Sequence, residues 1–187
     1  MSEQRARLTS ATAIAFARNA APTVATVASV ARVSRNTFYE YFDDLEHARG
    51  AGEARARRRL EVALREAEQR ARTPVERWRE LVQAWVAWVL EFPEESRLVL
   101  AGRDSGLSVA GGELAGAFTR SLALARAAGL NAATQDAIRV TAVAAAAEVT
   151  ARALSVEQMT TEAGAMSAPA RERLERALVD IAVRLLR

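Results

Sequence analysis

The chain has 187 residues, half of them hydrophobic, with no cysteine and a formal net charge of +3. That length buries a sizeable core, and the missing cysteines exclude a disulfide scaffold, thiolate chemistry and a cysteine-based zinc site, so a reducing cytoplasmic setting is expected. All 26 basic residues besides His47 are arginine, a side chain suited to phosphates and guanine edges, though a general arginine bias of the sequence would read the same way.

Alanine, leucine, arginine and glutamate dominate and runs of alternating β-branched residues are missing, so the fold class is all-α, about nine helices in total. No signal-peptide core opens the chain. No charge-free apolar stretch approaches the ~20 residues that cross a bilayer, and no membrane association is expected. Pro22, Pro74, Pro93, Pro169 and the glycine-rich stretch Gly102 to Gly112 divide the helices.

A first helix from about Arg5 to Asn19 aligns Leu8, Ala11, Ala15 and Phe16, with Asn19 placed to cap it in the left-handed conformation. Thr23 then caps a short helix through Ala31, a tight turn falls at Arg32 and Val33, and Ser34 caps a third helix. Asp43 or Asp44 starts a long fourth helix running to about Arg72. Thr73, Pro74 and Glu76 form a capping box with proline at the first helical position, opening a helix that carries Leu81, Trp85, Trp88 and Phe92 on one face. A short helix from Glu94 to about Ala101 follows, then the glycine-rich linker and a helix from about Gly112 to Ala128. Asn131 or Thr134 opens an alanine-rich helix ending near Leu154; Ser155 to Met166 reads as a loop. Ser167 and Pro169 start the last helix, where Leu174, Leu178, Ile181 and Leu185 repeat in steps of four and three.

The informative segment is Thr23 to Phe42, TVATVASVARVSRNTFYEYF. Two short helices around a tight turn, with Val27, Ala28, Val33, Phe38 and Phe42 at packing positions, satisfy the requirements of a helix-turn-helix. The second helix then presents Arg35, Asn36, Tyr39 and Glu40 outward. Arginine pairs with guanine, asparagine with adenine, and hydroxyls position the backbone; Glu40 either accepts from a cytosine or disfavours other sequences.

This segment resembles the TetR family of bacterial regulators, whose pattern runs T-V-x-x-I-A-x-x-A-G-V-S-x-G-T-L-Y-x-H-F. Thr23, Val24, Val27, Ala28, Ala31, Val33, Ser34, Thr37, Phe38, Tyr39 and Phe42 match it, and Tyr41 stands at the family's usual histidine. The likeness of motif covers about residues 8 to 48. Arg32 and Asn36 replace family glycines, and Glu46 stands where the family has a lysine. A positive φ at Arg32 would cost about 1 kcal/mol.

The resemblance implies a DNA-binding domain at 1–48 and a helical effector-binding and dimerisation domain at 49–187. It places Arg35, Asn36 and Tyr39 in the groove and Thr23, Thr37 and Tyr39 near phosphates, with Ser34 capping the helix that enters DNA. The implied partners are double-stranded operator DNA, a second copy of the chain and a small-molecule effector; no cofactor or metal is implied. A two-fold dimer would pair the stripe Leu174, Leu178, Ile181 and Leu185 with small residues Ala142, Ala145 and Ala146, unless these stripes are intramolecular core. Trp78, Trp85, Trp88, Phe92 and Phe118 are either core or the wall of a pocket for an apolar or aromatic ligand. With one histidine, no phosphate-binding glycine loop and no metal-ligand spacing, an enzyme is not expected. The rival reading is a helical interaction module that has lost its operator. A DNA regulator, released from a palindromic operator by its ligand, is the function expected.

Overall fold

The computed structural model describes residues 3–19, 21–100, 109–127, 144, 146–147 and 168–186. Among these are eight helices and no strand: α1 Glu3–Arg18, α2 Val24–Ala31, α3 Arg35–Tyr41, α4 Leu45–Arg70, α5 Pro74–Glu91, α6 Pro93–Leu100, α7 Val109–Ala127 and α8 Ala168–Leu186. Ala144, Ala146 and Ala147 are also helical; the rest of the expected alanine-rich helix, and the loop expected at 155–166, lie outside the described residues. No described helix is long and apolar enough to cross a membrane.

Side chains fix the helix ends. Thr23 Oγ1 accepts from Thr26 N–H to cap α2 and Thr23 N–H donates in return to Thr26 Oγ1, while Ser34 Oγ accepts from Thr37 N–H at 3.0 Å to start α3. Of the two aspartates, Asp44 starts α4, accepting from His47 N–H at 2.7 Å. Thr73 and Glu76 close the capping box of α5, with Pro74 in its first turn. The backbone N–H groups of Arg72 and Thr73 donate to the Glu76 carboxylate and hold its pKa below the usual glutamate range, with the Thr73 hydroxyl and the Arg72 charge adding to the effect.

Two expectations need correction. Asn19 does not adopt the left-handed conformation; Arg32 alone does so among the described non-glycine residues. Instead Asn19 Oδ1 accepts from Ala21 N–H at 3.0 Å, an Asx turn that leads the chain toward α2. The end of the glycine-rich stretch is also helical, because α7 begins at Val109 and includes Gly112. Long-range partners outweigh the low helix propensity there: Leu114 and Phe118 are buried, and Glu113 pairs with Arg57 at 2.6 Å.

The buried residues form two clusters that share α4. Leu8, Ala11, Ala15, Val27, Ala31, Phe38, Phe42 and Ala48 surround the interior of α1 to α3. The larger cluster takes Ala56, Leu60, Leu64 and Ala67 from α4, and adds Trp78, Trp85 and Trp88 of α5 and Phe118 of α7. At its 26 residues α4 is roughly 39 Å long, enough to reach both. α8 packs on α5, and α6 lies against α1 and α4.

Polar contacts tie α1, α4 and α6 together. Glu95 of α6, only 8% exposed, pairs with Arg59 at 2.9 Å and Arg55 at 3.4 Å. Arg55 also donates to Ser10 Oγ at 2.6 Å and to the Ala6 carbonyl, and Arg97 donates to the Ala17 carbonyl at 3.0 Å. Gly52 permits the close approach of α4 to α6, since a Cβ there would stand 2.8 Å from Leu98 Cδ2.

Candidate nucleic-acid interface

α2 and α3 meet through a turn that only a left-handed residue closes. Arg32 has φ 55° and ψ 49°, its N–H donates to the Ser29 carbonyl at 3.1 Å, and Val33 N–H donates to the Ala28 carbonyl at 3.0 Å. These are the two bonds of a Schellman motif, which usually ends on glycine. Arginine here carries about 1 kcal/mol of backbone strain. After the turn, Ser34 sets the direction of α3.

Seven residues long, α3 is fixed by its inner face. Phe38 is fully buried with its ring 5.7 Å from Phe42, which puts Arg35, Asn36, Tyr39 and Glu40 outward. Tyr39 is 56% exposed, its ring edge-on to Phe38. The polar groups of Arg35, Asn36, Tyr39 and Glu40 have no hydrogen-bond or ion-pair partner among the described residues. Thr23 is exposed and Thr37 half-buried; their hydroxyls are held by Thr26 and Ser34, each at 3.0 Å, and Ser34 is itself exposed.

Some supports escape sequence reasoning. Tyr41, at the position where the family usually has histidine, donates its hydroxyl to Gln4 Oε1 at 3.0 Å and so joins α3 to the start of α1. Arg7 donates to the Ala31 carbonyl at 2.7 Å across the α1–α2 contact. Neither pair has a local signal, since 37 and 24 residues separate the partners. The Thr26 half of the α2 capping box was readable: it is a hydroxyl three residues after Thr23. From residue 1 to 42, five arginines stand against Glu3 and Glu40, and Asp43, Asp44 and Glu46 at the start of α4 then bring residues 1–48 to five acidic against five basic side chains, His47 apart.

The residues suggested for a ligand pocket lie mainly inside the larger cluster. Trp78, Trp85, Trp88 and Phe118 are all buried, and the rings of Trp85 and Trp88 are 5.9 Å apart. Phe92 is half-buried under the Arg59 guanidinium, which stands 4.4 Å from its ring centre; both line an open concavity of about 400 Å³ with Val62. Within the buried set, the indole N–H groups of Trp78 and Trp88 and the Ser121 hydroxyl have no hydrogen-bond partner. Of the residues suggested for the dimer contact, Leu178 is buried and Leu174 half-buried against the chain's own core, whereas Ile181 is 38% exposed. Ala146 is half-buried; Ala142 and Ala145 lie outside the described residues, and Leu185 lies in α8. No group of three or more metal-binding side chains occurs among the described residues.

A helix-turn-helix on a longer helical body defines the fold of TetR-type transcription regulators, and the chain has that fold. Particular solved structures make the likeness concrete. A bacterial regulatory protein of the tetR family from Rhodococcus RHA1 superposes with a TM-score of 0.74 at 18% identity, covering 100% of this chain and 98% of that one. The fatty acid degradation regulator FadR from Bacillus halodurans gives 0.73 at 12% identity, covering 98% and 96%. FadR from Bacillus subtilis, solved in complex with stearoyl-CoA, gives 0.69 at 13% identity, covering 97% and 99%. The sequence matches no protein-family model and is significantly similar to no curated protein.

Proposed function

We propose that the protein is a DNA-binding transcription regulator that inserts α3 into the major groove of operator DNA and is released by a small effector. One observation carries this reading: Phe38 anchors α3 from beneath while Arg35, Asn36, Tyr39 and Glu40 stand outward with no partner of their own. These are groups that read base edges, with Thr23, Ser34 and Thr37 placing two helix starts, and their N–H groups, toward phosphates. The division of labour is residues 1–48 for DNA and 49–187 for effector binding and dimerisation.

One recognition helix reads too few bases for useful selectivity, so the working form is a two-fold homodimer. Ile181 on α8 is the exposed apolar side chain that supports α8 as part of the contact. The effector is apolar or aromatic: Phe92 and Val62, which line the open concavity beside the larger cluster, support this, as does the stearoyl-CoA bound by the similar Bacillus subtilis FadR. Effector and DNA affinities oppose one another reciprocally, because the ligand favours a spacing of the two α3 helices that no longer matches neighbouring grooves.

Selection of bound sequences from random duplex DNA tests the reading. A palindromic consensus is expected, with affinity falling steeply as salt rises. Arg35→Ala should cost about 1 to 3 kcal/mol of binding and relax preference at one base position. A protein that binds no duplex at any salt concentration would instead be a helical interaction module on the same scaffold.

A further inference from the structure

An open concavity of about 460 Å³ lies away from the aromatic cluster, between α1, α2 and α4. Its lining combines apolar residues, Ile14 and Val30 among them, with Arg7, Arg32, Arg55 and Ser10. No carboxylate lines it. Arg55 is paired with Glu95 at 3.4 Å, whereas neither Arg7 nor Arg32 has a carboxylate partner among the described residues. The Arg32 guanidinium makes no hydrogen bond either, although its backbone is held at φ 55°, where glycine is the unstrained residue. Nothing in the turn itself calls for arginine. Backbone strain at a residue whose side chain serves no local contact is a mark of function.

We propose that this concavity is a binding site for a small amphipathic anion, a carboxylate or phosphate carried on a short apolar body. The anionic group is met by the free guanidinium nitrogens of Arg7 and Arg32, with Arg55 behind them, in charge-assisted hydrogen bonds. The apolar body lies on Ile14 and Val30. The charges of Arg7 and Arg32, which no carboxylate among the described residues offsets, favour entry of an anion. The site lies beside the turn that leads into α3, and it is separate from the aromatics of α5.

The test uses full-length ¹⁵N-labelled protein without DNA, so its outcome is independent of the operator reading. Sodium octanoate should produce saturable shifts at the amides of Ser10, Ile14, Ala31 and Arg32. Inorganic phosphate should shift the same amides with lower affinity, and 1-octanol, without a charge, should respond to no arginine substitution. The double variant Arg7→Gln, Arg32→Gly should weaken octanoate on the order of tenfold or more; glycine suits the turn, glutamine keeps an N–H donor for the Ala31 carbonyl, and an unchanged thermal midpoint checks that the variant is folded. Octanoate shifts elsewhere only, or shifts of unchanged affinity in the double variant, would overturn the proposal. So would an octanoate titration that shifts no amide of the wild-type protein.

Discussion

Around Phe38 and around Trp85 the chain buries aromatic rings in different ways. Phe38 sits beneath α2 and α3, helices of eight and seven residues that are too short to persist alone, so caps at Thr23 and Ser34 and the turn at Arg32 hold them in place. Trp85 sits on an 18-residue helix whose own length and packing stabilise it, and its neighbourhood tolerates buried indole N–H groups without partners. The first region uses its side chains to fix ends and leave a face open. The second uses them to fill an interior.

The comparison breaks most visibly if one ring in each region is removed. Phe38→Ala and Trp85→Ala should each cost about 3–5 kcal/mol. Because α4 contributes Ala48 to one cluster and Leu60 and Leu64 to the other, both substitutions should lower the midpoint of one shared urea transition. Separate transitions, with Trp85→Ala moving only one, would mean that α4 does not couple the regions.

Caps give the next effect. Ser34→Ala and Thr73→Ala each remove an acceptor for an N–H in the first turn of a helix, and each should cost about 1 kcal/mol of unfolding free energy. Their consequences diverge beyond stability. Loss of the Ser34 cap should also weaken DNA binding, since Ser34 begins the helix proposed to enter the groove, whereas loss of the Thr73 cap should leave it unchanged. Equal effects of the two on DNA affinity would remove the contrast between an open-faced region and a filled one.

Opposite in sign is Arg32→Gly, which releases the left-handed strain and should raise stability by up to about 1 kcal/mol. A loss of stability in thermal unfolding would show instead that the Arg32 side chain contributes more than its backbone costs.

How far the sequence anticipates the molecule follows the range of the forces involved. Caps, the Pro74 start and the helix-turn-helix spacing are local, and they place α1 to α6 within a few residues of the expected ends. Asn19 misleads because its amide satisfies Ala21 N–H and removes any need for a left-handed cap. Glycines at 111 and 112 mislead because Glu113 finds Arg57 on α4. On the candidate interface, the outward residues of α3 are legible from Phe38 and the helical period. The Tyr41 to Gln4 and Arg7 to Ala31 bonds are not, as each depends on how two distant helices dock. The same holds for the concavity under Arg32, whose walls come from three helices.

The smallest effect separates the two capping boxes by their chemistry. At α2 both partners are hydroxyls, Thr23 and Thr26, so that box should contribute equally at every pH. At α5 the partner is Glu76, whose folded pKa is lowered by the backbone N–H groups of Arg72 and Thr73. A lowered acid pKa means the stabilisation is complete above the unfolded value near 4.3 and is lost as pH falls through the lower folded value. Glu76→Gln should therefore unfold below wild type at neutral pH, with the gap in midpoint closing as acid protonates the wild-type carboxyl. A gap that stays constant from neutral to acid pH would assign the Glu76 contribution to the shape of the side chain and not to its charge, and the two boxes would then be physically alike.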